Sequence, residues 1–184
     1  MVVVVIIGIT AALAGPAVAR SVAISRADRA NHDMIRLVRF ARSQAIAYGR
    51  AYLSRFVTTG NGRAELWEGT TSACRLENWT NITATGGCSS ATAGAGPTNC
   101  SDFVDSADYD YGYHHVTFAS VRGVDLCFQS SGDALTRPSG GAGAFGAPLN
   151  GVVTITTTRF EGGVTPDPQR GVVIPAGGAP RTLR

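Results

Sequence analysis

His32, the adjacent His114 and His115, four cysteines and a run of aspartates are the groups in this chain with the chemistry to bind a metal or move a proton. Consecutive residues on a strand point to opposite faces, so His114 and His115 make a poor chelate or catalytic couple. His32 stands in an arginine-rich segment and reads as a solvated residue. Ser130-Ser131-Gly132-Asp133 has no GxSxG frame and reads as a turn rather than a nucleophile elbow. With no convergent nucleophile, base and oxyanion donors, the expectation is that the chain is not an enzyme. Asp108-x-Asp110-x-Gly112 echoes part of a calcium loop but lacks the distal bidentate Glu, so a solvated loop outweighs a calcium site at Asp108 and Asp110, and no other cofactor is implied. Asn-x-Ser/Thr triplets at Asn78, Asn81 and Asn99 lie in Thr- and Ser-rich stretches that produce such triplets by composition alone.

Cys74, Cys88, Cys100 and Cys127 form neither a CxxC pair nor a zinc pattern, and their even number suits disulfides in an oxidising compartment. Three pairings are open. The preferred one joins Cys88 to Cys100 within a loop and Cys74 to Cys127 between the loop base and a strand.

These groups must be held by something, and composition indicates what. Of 184 residues only 16% are charged and 23 are glycine, which points to many turns and short strands. One core is expected. All sixteen basic residues are Arg, and a net charge of +3 is too small to imply a polyanion partner by itself. The charge is uneven. Residues 20–55 carry eight Arg against Asp28 and Asp33, whereas residues 60–117 carry seven acidic groups against Arg63 and Arg75. Either two solvated faces result, or the basic stem of one copy attracts the acidic head of another in an assembly.

The chain opens MVVVVIIGITAALAGPAVAR, without a charge before Arg20. Three structures compete for this run. A signal peptide would use Ala17-Val18-Ala19 as its cleavage site but lacks a basic n-region. A membrane helix needs about 20 apolar residues, which the run barely supplies. The third is a helix buried against copies of itself. From Arg20 the pattern is amphipathic, with Ala27, Ala30, Met34, Leu37, Ala41, Ala45, Tyr48 and Tyr52 on one stripe, which predicts a continuous helix from about Val18 to Tyr48. Gly8 and the Gly15-Pro16 pair predict a kink or unwound stretch between them. After Gly49, β-branched and aromatic segments at 51–58, 63–68, 115–120, 124–129, 152–160 and 171–174 predict a meandering antiparallel sheet of at least four strands. The Gly-rich stretches 83–99 and 138–148 read as loops. The fold class is α+β, divided into an apolar segment 1–19, a stem 20–50 and a β-rich head 51–184.

These pieces resemble a known family. MVVVVIIGI followed by a long stem looks like the spine of the type IV pilin and pseudopilin superfamily, and RFARSQAIAYGRAYL resembles the stem-to-sheet junction of its GspH/FimT branch. CFQSSGDALTRP, GVVTITTTRF and RGVVIPAGGAPR are similar to that branch's strand-turn element and closing hairpin. The resemblance implies a long N-terminal helix on an antiparallel head, and the function of a minor pilin or pseudopilin in a type IV pilus or type II secretion filament. It implies that Val2, Val3, Val4, Val5, Ile6, Ile7, Gly8, Ile9, Leu13 and Pro16 form a membrane anchor and then a filament core. The partners implied are other subunits, the bacterial inner membrane and an assembly platform, with the chain crossing the membrane once and its head in the periplasm. The family's basic leader ending in Gly and its Phe-Thr-Leu-x-Glu-Leu-type segment do not precede Met1, so the expectation is that Met1 is an internal start. Two alternatives are carried: a minor pilin that binds DNA through Arg181 and Arg184 behind a flexible Gly-Gly, and a secreted β-domain with a cleaved signal peptide.

Overall fold

The computed structural model describes residues 2–57, 62–75, 79, 100–110, 114–120, 124–138, 143–147, 152–161, 170–175 and 181–183; within its first 16 residues only the side chain of Val3 is among them. The described residues form one long helix, α1 (Val2–Tyr48), and nine strands: β1 (Tyr52–Val57), β2 (Arg63–Glu68), β3 (Cys100–Asp105), β4 (His114–Ser120), β5 (Val124–Phe128), β6 (Ala134–Pro138), β7 (Val152–Glu161), β8 (Arg170–Pro175) and β9 (Arg181–Leu183). A short 3-10 helix, Ser106–Tyr109, follows β3, and the Asp105 carboxylate caps it by accepting the Ala107 N–H at 3.0 Å. The α+β class expected from the sequence is thus present.

α1 ends where Gly49 takes a left-handed φ of 66°, a conformation that costs glycine nothing and stops the helix. No break interrupts it at Gly8 or Gly15-Pro16, so the unwound stretch expected there is absent. A helix can carry one proline by forgoing a single hydrogen bond while its neighbours hold. Ala27, Ala30, Met34, Leu37, Ala41, Ala45 and Tyr52 are buried as the stripe requires, whereas Tyr48 is 66% exposed at the end of the last turn.

The single meander becomes two antiparallel sheets, ordered β3-β2-β1-β5-β6 and β4-β7-β8-β9. The chain leaves the first sheet after β3 to lay down β4, returns beside β1 for β5 and β6, then pairs β7 with β4. One face of α1 covers both. Its alanines, Met34, Leu37 and Val38 share a core with Tyr52, Phe56, Leu66 and Phe128 of the first sheet and Phe118, Ile155, Val172 and Ile174 of the second. Small helix residues let the strands approach, and the larger side chains come from the sheets. Gly62, at φ 91°, passes so close to the β4 backbone that a Cβ would lie 2.5 Å from the Phe118 carbonyl oxygen. Only glycine fits there.

Three strands lie outside the expected segments. β3 (CSDFVD) carries two Asp, which are disfavoured in strands; β6 ends in Pro138 at the sheet edge; and β9 is three residues long. Within the Gly-rich stretch 138–148, Gly146 bridges Thr136 on β6, so this segment hugs the edge instead of looping away. The stretch 83–99 lies outside the described residues.

One expectation is overturned. No helix among the described residues is long and apolar enough to cross a membrane, which corrects the single-pass inner-membrane localisation. The charge-free run of nineteen residues spans about 28 Å of helix against about 30 Å of hydrocarbon. Gly8, Thr10, Gly15, Pro16 and several alanines dilute it before Arg20.

Candidate functional site

The stem and the head are held by a charged seam along α1. Arg26 donates to the Asp110 carbonyl oxygen at 2.6 Å, Arg50 to Glu68 at 2.7 Å, and Arg42 to the Gly132 carbonyl oxygen at 3.2 Å. Arg36 faces Asp102 at 3.8 Å, and Arg170 of β8 meets Asp28 at 2.5 Å. The basic stem and acidic head therefore satisfy each other inside one chain, a third outcome beside solvated faces and attraction between copies. Gly132, with φ 85°, lets the β5–β6 turn lie against Ile46, where a Cβ would come within 3.0 Å of its Cδ1.

Tyr109 donates to Asp33 at 2.8 Å, and with Arg26, Arg29 and Asp108 these residues line a polar cleft of about 320 Å³ where the 3-10 helix meets α1. Burial, and then the hydrogen bond to Asp33, push the Tyr109 phenol up. Burial and the neighbouring Glu68 carboxylate push Tyr52 up to about 12 from its ordinary value near 10. Both phenols hold their protons more tightly folded than unfolded. Their contribution is complete below about pH 10 and is lost as the pH rises toward about 12, because there the unfolded chain binds fewer protons. The urea midpoint should fall across this window, and Tyr52→Phe should blunt the fall; a flat profile in the unaltered protein would contradict the assignment.

The cysteines follow the preferred pairing as far as it is described. Cys74 and Cys127 form a disulfide that closes a separation of 53 residues. It is buried with Ala51, Leu53 and Trp79 on the side of the first sheet away from α1. Cys100 is also disulfide-bonded, while Cys88 falls outside the described residues.

The proposed calcium ligands are used otherwise. Asp110 accepts the Val116 N–H at 3.1 Å, Asp108 is exposed, and no three candidate ligands converge among the described residues. The side chains of His114 and His115 lie outside the described residues. Arg181 is exposed on β9, paired with Val173, rather than in a free tail; Arg184 lies outside the described residues.

Sequence reasoning missed a buried ionic row. Arg55 on β1 stands opposite Glu65 on β2, and Asp125 on β5 opposite Arg137 on β6. The β1–β5 register, which pairs Ser54 with Leu126, carries Arg55 alongside Asp125. Charges thus alternate across four neighbouring strands, and all four residues are buried. Arg137 donates to Asp125 at 3.1 Å and lies over the Phe145 ring; Glu65 takes Arg63 at 3.0 Å and the Trp67 indole N–H at 3.1 Å. The available signal was a charged residue in the interior of each of these four strands.

Among the described side chains of α1, burial begins at Ala23, and Val18 is 60% exposed. Comparison with protein-family models, with curated proteins and with solved structures finds no match.

Proposed function

We propose that the chain is a structural subunit of a filament of the type IV pilus or type II secretion kind, a minor pilin or pseudopilin that assembles through the N-terminal part of α1. The observation that carries this reading is the length of α1: residues 2–22 extend the helix by about 30 Å before Ala23, the first of its described side chains that is buried. That extension holds four consecutive valines and three isoleucines. Burying each is worth about 1.5–3 kcal/mol, which parallel copies of the helix would supply to one another. The pilin-like spine of the sequence supports the same assignment, with Val2 to Ile9, Leu13 and Pro16 in the filament core. No catalytic role is assigned, because the polar clusters described above are spent on joining stem to head and strand to strand.

The reading separates two parts of the molecule. The head and the stem from Ala23 onward bury their own apolar stripe, so a chain beginning at Ser21 should remain monomeric by light scattering while the full chain associates. A shortened chain that polymerises as the full one does would place assembly in the head.

A further inference from the structure

The stem and the first sheet meet at a joint. After Tyr48 the backbone turns through Gly49, which is exposed, takes φ 66° and has nothing within 4 Å of where a Cβ would stand, and it enters β1, the central strand of the sheet, at Tyr52. Left to itself, such a turn is a hinge.

Residues 69–74, which follow β2, cross this joint as a strap. Ala51, wholly buried, donates its N–H to the Thr71 carbonyl oxygen at 2.7 Å, and its own carbonyl accepts the Gly69 N–H at 2.8 Å. A Cβ on Gly69 would lie 3.0 Å from that Ala51 oxygen and 3.0 Å from the Trp79 ring, so only glycine lets the strap run this close. Further on, the Ser72 carbonyl accepts the Ser130 N–H at 3.1 Å, and Cys74 is bonded to Cys127 on β5. β2 and β5 flank β1, so the strap ties one neighbour of β1 to the other past the start of the strand. From β5 the tie returns to the stem, because Arg42 donates to the Gly132 carbonyl oxygen at 3.2 Å and Ile46 lies against Gly132 in the β5–β6 turn. The last two turns of α1, Ala51, the strap and the β5–β6 turn thus form a closed ring.

The disulfide is the member of this ring that thermal motion does not open. Thr70, Thr71 and Ser72 are exposed, so the middle of the strap gains little from burial, and backbone hydrogen bonds in such a segment open locally. Cys74 and Cys127 are 8% and 0% exposed, and Cys127 stands opposite Leu53, two residues from Ala51. A disulfide placed anywhere in the chain restricts the unfolded state. This one also holds the strap on the joint.

We propose that the Cys74–Cys127 disulfide locks a hinge at Gly49, holding the strap across Ala51 and so fixing the direction in which the stem leaves the head. Before the bond forms, the strap and residues 42–48 open together, while residues 27–41 stay packed on the sheets. Its formation joins two thiols through one Sγ–Sγ bond, and two electrons and two protons pass to an external disulfide, which leaves as two thiols. The lock belongs to the single chain and does not depend on the filament reading.

Amide hydrogen exchange of the full chain separates a lock from a general staple when each rate is read against Leu53 and Ser54, which both neighbours of β1 pair. That ratio cancels a loss of overall stability. In the unaltered chain the Ala51 amide should be protected as these ladder amides are. In Cys74→Ala/Cys127→Ala the Ala51 and Ser130 amides should lose at least about tenfold in protection relative to the ladder, and trypsin should gain a cut after Arg50. Gly69→Val provides a second arm in which the disulfide stays closed. There the new side chain displaces the strap, and Ala51 should lose protection relative to the ladder in the same way; this arm decides if the double variant does not fold. Parallel changes at Ala51, Ser130 and the ladder without a new cut at Arg50, or an unmoved Ala51 in Gly69→Val, would overturn the lock and leave the disulfide a staple on the unfolded chain.

Discussion

Asp125→Ala should destabilise the protein by about 3–5 kcal/mol, a large part of the stability of a domain this size. The carboxylate is fully buried and receives Arg137 at 3.1 Å, with Arg55 beside it on the neighbouring strand. Removing it strands the Arg137 guanidinium, itself almost wholly out of water, and leaves Arg55 with Glu65 alone beside it in the row. The loss is therefore not the net worth of one ion pair but the cost of leaving buried charge uncompensated. A paired substitution separates the two quantities. Asp125→Val with Arg137→Met removes both charges at a similar total side-chain volume and should recover most of the stability lost by Asp125→Ala. Urea denaturation of the parent and the two variants reads this directly, and an Asp125→Ala protein within about 1 kcal/mol of the parent would mean the row contributes little.

The ionic row also marks where sequence reasoning stopped. The helix was legible because Ala27, Ala30, Met34, Leu37 and Ala41 recur at helical spacing, and six of the strands because β-branched and aromatic residues cluster between turn residues. Charges in strands look like a solvated face, so Arg55, Glu65, Asp125 and Arg137 gave no sign of lining up until the pairing order of the strands was known. That order is non-local: β1 collects β2 on one side and β5 on the other, from a point more than 60 residues later. Asp-rich β3 was hidden for a related reason, since its edge position and the stem arginines beside it compensate a sequence of poor strand propensity. The N-terminal apolar run was partly legible. An uncharged start of valines and isoleucines announces burial, but composition alone does not say whether lipid, a head or other helices provide it.

Val5→Asp should abolish assembly while leaving the fold intact. Residue 5 lies about 27 Å along the helix from Ala23, the first described side chain of α1 that is buried. In a bundle of such helices the carboxylate would sit among valines and isoleucines, since residues 2–19 carry no charged side chain. An ionised carboxylate without a partner in apolar surroundings is costly, and the cost repeats in every subunit that enters. Thermal unfolding of the head should be unchanged, which distinguishes an assembly defect from misfolding.

The measurement that bears most directly on the filament reading is recovery of this chain in sheared filaments from cells that express either the unaltered protein or Val5→Asp at equal levels, detected with an antibody against the head. The unaltered chain should be recovered with the filaments and Val5→Asp should remain wholly with the cells. Equal recovery of the two would contradict assembly through the N-terminal part of α1.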